Sequence, residues 1–172
     1  MTYWNRVFDL VVRSEVPCGT LVPFSPLEHY DVDFRIGPVE ELSAPSEAVR
    51  YFAPRRGGIA MFLPEIMRCE VVGGCEVLID PLTTDMDKIK LFMLGAAMSA
   101  ILHQRGYAVI HGNAVVKDEK AYIFAGPSGI GKSTLAATFH QAGYGLLADD
   151  VIAIRFDSEG VPWALPSYPH VK

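Results

Sequence analysis

Short alternations of hydrophobic and polar residues fill the first half of the chain, and each is closed off by proline or glycine. Pro17, Pro23, Pro26, Pro38, Pro45, Pro54, Pro64 and Pro81 leave no room for a helix of ordinary length, because proline fixes φ and removes a backbone donor. The β-prone runs between them predict strands over 7–13, 31–36, 58–63, 66–72 and 75–79, the last two joined across Gly73-Gly74 as a two-residue hairpin. After residue 83 the period lengthens. Thr84 or Asp85 is placed to cap a helix over 86–104, which carries Ile89, Phe92, Met93, Ala96, Ala100 and Ile101 on one apolar face and stops at Gly106. That methionine-bearing stripe reads as core packing, not as a binding groove.

Strands follow at 107–111, 113–116 and 121–125, with Lys117-Asp118-Glu119-Lys120 as a polar turn between the last two. Residues 132–142 then place Leu135, Ala136, Phe139 and Ala142 at helical spacing, with Gly143 as the stop. An apolar strand over 146–154, a turn at Asp157-Ser158-Glu159-Gly160 and a run over 161–165 complete the pattern. The expected organisation is a β-rich region over 1–83 and an α/β core over 84–172.

Between the strand at 121–125 and the helix at 132 lies Gly126-Pro127-Ser128-Gly129-Ile130-Gly131-Lys132-Ser133, a complete G-x-x-x-x-G-K-[ST] phosphate loop in the context such a loop requires. Its glycines let successive N–H groups converge on one anion, and the helix start adds partial positive charge. Gly126, Ser128, Gly129, Ile130, Gly131, Lys132, Ser133 and Thr134 are therefore the expected phosphate-binding set. Lys132 reaches the β- and γ-phosphates of a nucleotide, and Ser133 offers its hydroxyl to Mg²⁺.

Composition narrows the class without changing this picture. Half of the 172 residues are apolar, one in five is charged, and the net charge is −5. An acidic chain lacks the excess of Lys and Arg that a nucleic-acid surface needs. The three cysteines have no metal-ligand spacing and read as reduced thiols of a cytoplasmic protein. The N-terminus has no signal-peptide pattern, and the apolar, uncharged run 91–102 is too short to span a membrane.

Two features carry further chemistry. Asp149 and Asp150 interrupt an apolar strand, where burying two carboxylates is costly unless something stabilises them. A strand after the phosphate-loop helix is where P-loop enzymes place the acid that holds Mg²⁺. His111 ends the apolar run Ala108-Val109-Ile110 and precedes Gly112.

Taken together, His111-Gly112-Asn113-Ala114, the loop Ala125 to Ser133, and Gly143-Tyr144-Gly145-Leu146-Leu147-Ala148-Asp149-Asp150 resemble the catalytic domain of HPr kinase/phosphorylase in order and spacing. Phe8-Asp9-Leu10, Arg13-Ser14-Glu15 and Pro17 are similar to the start of shorter HPr-kinase-like proteins, some of which phosphorylate lasso-peptide precursors. The resemblance implies a core related to phosphoenolpyruvate carboxykinase that transfers phosphate from ATP, with Mg²⁺, to a serine hydroxyl of a peptide or small protein. By position it implies Asp149 as general base, Ser133 as a metal ligand, Asp150 as a metal or water ligand, and His111 as the group that orients or tunes the base; the sequence does not decide which aspartate takes which role. HPr or a similar carrier is an alternative acceptor, a non-catalytic nucleotide-binding module is an alternative role, and homo-oligomers are compatible with the family. Pro127 stands where the family carries an acid and Thr134 where it carries a glutamate, which removes support for phosphorolysis. The family's later segment with its arginine falls beyond Lys172, so a chain ending there is expected to bind nucleotide with little transfer, or to take those groups from another chain.

Overall fold

The computed structural model describes residues 1–18, 21–25, 29–41 and 50–167. Pro26, Pro45 and the tail 168–172 lie outside the described residues. Contacts divide the chain into two units, one of residues 1–6 with 10–105 and one of residues 7–9 with 106–172. The division falls after Arg105 and not after residue 83. The reason is visible at the helix end: Gln104 accepts from Gly74 N–H at 2.7 Å and donates to Val71 O, while Arg105 donates to Gly74 O at 2.9 Å. The helical segment is thereby clasped to the strands that precede it.

The first unit is built on an eight-stranded sheet in the order β3-β1-β2-β4-β8-β7-β6-β5. Its strands are β1 Tyr3–Val7, β2 Leu10–Ser14, β3 Val22–Pro23, β4 Val32–Ile36, β5 Tyr51–Arg55, β6 Gly58–Leu63, β7 Met67–Val72 and β8 Glu76–Pro81. Pairing is antiparallel apart from β2–β4 and β4–β8. The strand expected over 7–13 is broken at Phe8-Asp9, whose positive φ values make a turn between β1 and β2. Gly73 and Gly74 do turn the β7–β8 hairpin, but Val72 pairs with Glu76, so Cys75 belongs to a three-residue connection.

Asp85 caps the helix by accepting from Asp87 and Lys88 N–H. The helix itself is three pieces, α1 Met86–Phe92, a π-helical turn Met93–Ala97 and α2 Met98–Gln104. The wide turn advances the phase, so Ile89, Met93, Leu94, Ala97, Met98, Ile101 and Leu102 are buried, while Phe92, Ala96 and Ala100 are only partly so. Core packing is their role. No helix among the described residues is long and apolar enough to cross a membrane.

The second unit is a four-stranded sheet in the order β10-β9-β11-β12, formed by β9 Ala108–Lys117, β10 Lys120–Ala125, β11 Gly145–Phe156 and β12 Pro162–Leu165. Residues 107–111 and 113–116, expected as separate strands, run straight through Gly112 as β9. Both neighbours of β9 are antiparallel to it, so β10 and β11 run in the same direction with β9 between them. Helix α3, Lys132–Gln141, crosses from β10 to β11 and packs on β9, β10 and β11. This is a split β-α-β unit. Gly143 ends α3 with φ 90°; Gly143 N–H donates to His140 O and Tyr144 N–H to Phe139 O, which satisfies the last carbonyls. Phe124, Phe139 and Tyr144 fill the space under the helix, with ring centroids 5.3 and 4.9 Å apart. Ala114, Ala148 and Ile152 form a buried apolar cluster of the same sheet, packed by Ile110, Ile123, Leu147 and Ile154.

Candidate active site

Strand β10 ends at Ala125, and the chain turns at once into the loop of residues 126–131. Gly129 and Gly131 have φ of 83° and 96°, values a side chain tolerates poorly, and they let the loop curl back to the first turn of α3. Gly131 is the N-cap of α3 and provides no side-chain cap. The N–H groups of the first turn are thus left for a ligand, next to the positive end of the helix dipole. Lys132 Nζ donates to Gly126 O and Pro127 O, both at 2.9 Å, which holds the ammonium at the mouth of the loop. Ser128, Gly129, Ile130, Ser133 and Thr134 are exposed, and Ser133 and Thr134 follow Lys132 on the first turn of α3. An open groove of about 680 Å³ runs beside the loop, lined by Phe124, Ile130, Lys132, Thr134, Leu135 and Thr138 among others. Leu135, expected on the packed face of α3, lines this groove instead.

The sheet register sets the other two motifs beside the loop. Gly112 pairs with Ala125 on one side and with Asp150 on the other. A Cβ at Gly112 would lie 2.5 Å from Phe124 O, so only glycine lets β9 approach the root of the loop this closely. One position further along, Asn113 pairs with Phe124 and with Asp149. Asn113 Nδ2 donates to Asp149 Oδ1, and both residues are buried. His111 is two positions from Asn113 on the same strand and therefore on the same face, pairing with Val151 at a diagonal to Asp149. Its side chain is exposed. Phe124 lies on that face too, stacked on Phe139 of α3, so the histidine, the buried aspartate and the loop helix share one side of the sheet.

The two acids occupy different environments. Asp149 is 3% exposed, whereas Asp150 is partly exposed and has φ 69°, a left-handed conformation that aspartate tolerates better than most side chains. That angle takes Asp150 out of the regular pleat while β11 continues to Phe156. Asn113 is the site residue that sequence reasoning passed over. Its signal was a polar amide directly before the apolar run Ala114-Val115-Val116.

No cluster of three or more His, Cys, Asp or Glu side chains arranged to hold a metal occurs among the described residues. The donors beside the loop, the Ser133 hydroxyl and the Asp150 carboxylate, nonetheless fit Mg²⁺ in kind. This ion takes hard oxygen ligands, commonly one or two carboxylates together with substrate phosphates and waters. No family model, curated protein or solved structure matches the chain.

Proposed function

We propose that the second unit is a nucleotide-binding core of the HPr-kinase/phosphoenolpyruvate-carboxykinase type, and that the chain transfers the γ-phosphoryl group of ATP to a serine hydroxyl of a peptide or small protein. The observation that carries this reading is the pairing of Gly112 with Ala125 on one side and Asp150 on the other. It aligns the end of the phosphate-loop strand, the His111 strand and the acidic pair at one level of a single sheet.

In this reading the free N–H groups of the loop and of α3, with Lys132, bind and neutralise the phosphates. Ser133 and Asp150 hold Mg²⁺, whose charge offsets that of the transferring group. The acceptor oxygen attacks the γ-phosphorus, its proton passes to the Asp149 carboxylate, and the bond to the bridging oxygen breaks to leave ADP. Asn113 orients Asp149 through Oδ1, and His111 assists from the same face. Phosphoryl transfer asks chiefly for positioning and charge neutralisation, which a rigid loop and a hydrogen-bonded acid supply. The reaction belongs to the cytoplasm, where ATP meets reduced thiols such as Cys18, Cys69 and Cys75.

The test is thermal stabilisation by Mg·ATP, with phosphate transfer to serine-bearing acceptors followed by mass shift. Ligand at a hundredfold excess over Kd stabilises by about 2.7 kcal/mol, which is easily read as a shift in Tm. Lys132→Ala should lose most of the shift while leaving the unliganded Tm unchanged. A wild-type chain that shows no shift at millimolar Mg·ATP refutes the nucleotide reading.

A further inference from the structure

Strand β10 is an edge of the second sheet. Its hairpin with β9 turns through two residues, Asp118 and Glu119, both with positive φ, and Lys117 pairs with Lys120 across the turn. In such a hairpin the residues flanking the turn form a hydrogen-bonded pair, and hydrogen-bonded and open pairs then alternate along the ladder. Lys120, Tyr122 and Phe124 therefore direct their backbone groups at β9, while those of Ala121, Ile123 and Ala125 point outward. Among the described residues no backbone partner is found for these outward groups. The edge carries neither a proline nor an inward charge between residues 121 and 125, the usual devices that keep an edge from pairing.

The side-chain order along this edge reads the same in both directions: Ala121 small, Tyr122 aromatic, Ile123 β-branched, Phe124 aromatic, Ala125 small. That is what an isologous antiparallel pairing requires, because under a two-fold axis each residue must suit its mirror position. Centred on Ile123, the pairing sets Ala121 against Ala125 and Tyr122 against Phe124, and every outward N–H and C=O gains a partner. At each end the turn Lys117-Asp118-Glu119-Lys120 of one copy, two acids flanked by two lysines, is brought to the end of the strand where the Lys132 ammonium of the other rests on Gly126 O and Pro127 O. We propose that β10 is a self-pairing edge through which two copies of this chain associate, joining their four-stranded sheets into one.

The pairing is tested on the full chain by sedimentation equilibrium from micromolar to submillimolar concentration. Wild type should form a dimer, and Ala121→Pro should be monomeric, since it removes only an outward-pointing donor and keeps the β9–β10 ladder. Charge tests the register independently, as Ala121 and Ala125 are both exposed. Ala121→Lys/Ala125→Glu sets opposite charges across the two-fold and should dimerise at least as tightly as wild type, whereas Ala121→Lys/Ala125→Lys should be monomeric. Identical behaviour of the two double variants, a dimer that survives Ala121→Pro, or a wild type that stays monomeric throughout overturns the proposal. So does slow amide exchange at Ile123 in a monomer, which would mean that another part of the chain already covers the edge.

Discussion

Gly112→Ala is the sharpest perturbation of the proposed site. The added methyl carbon would lie 2.5 Å from Phe124 O, 3.3 Å from Phe124 C and 3.4 Å from Ala125 Cα. The first contact is about 0.9 Å inside the separation at which ordinary contact begins, and the obstacle is backbone that cannot rotate away. Relief requires the end of β10 to move, and with it Gly126 and the loop. Overpacking of this kind costs about 1–3 kcal/mol, which for a chain of this size lowers Tm by about 2–12 °C. The positive-φ penalty that complicates most glycine substitutions is absent here, because Gly112 lies outside that region. Gly145→Ala is the matched control: its Cβ would meet Val116 Cγ1 at 2.9 Å, a side-chain methyl and not backbone. Differential scanning fluorimetry with and without Mg·ATP reads both consequences. Gly112→Ala should lower Tm more than Gly145→Ala and should also reduce the nucleotide-induced shift. If Gly112→Ala keeps both the wild-type Tm and the full shift, the register that joins the three motifs is wrong.

Three further outcomes are expected. Asp149→Asn should abolish phosphate transfer while sparing Mg·ATP stabilisation, and His111→Ala should slow transfer by about 10²–10⁴-fold, the usual range for acid–base assistance; wild-type rates in both variants would place the chemistry elsewhere. Asp157 accepts from Trp163 Nε1, Val161 N–H and Glu159 N–H, and these bonds, the indole first, hold its carboxyl below the value of 3.8. A lowered carboxyl contributes above its unfolded pKa and loses that contribution as pH falls through the folded one. Trp163 emission in a Trp4→Phe background should therefore change with a midpoint below pH 3.8, and a midpoint at or above that value would contradict the turn geometry.

The loop between β10 and α3 was legible in the sequence because its information is local. Gly126, Gly129 and Gly131 decide which backbone angles are accessible, and the strand before and helix after are equally local in their periodicity. The core role of the methionine-bearing helix was legible for the same reason. The break at Phe8-Asp9, the π-helical turn and the clasp of Gln104 and Arg105 on the β7–β8 hairpin were not, since the break carries no proline or glycine, the π-helical turn carries no proline, and the clasp joins residues 30 positions apart or more.

Which aspartate meets which neighbour was decided by tertiary structure alone. Gly145 and Leu146 pair with Val116 and Val115, but Ala148 pairs with Ala114, so Leu147 is an extra residue bulged out of the ladder. Were Leu147 instead paired with Ala114 in an unbroken ladder, Asp149 would fall opposite Gly112, and the Asn113 bond could not form. Side chains alternate at every residue, and a single-residue slip sends each of them to the other face. The sequence by itself thus determined that a glycine-bearing loop with the G-x-x-x-x-G-K-[ST] pattern joins a strand to a helix and that two acids follow it. Register, a property of strands more than thirty residues apart, determined that one acid is buried against an asparagine while the other stands at the level of the loop.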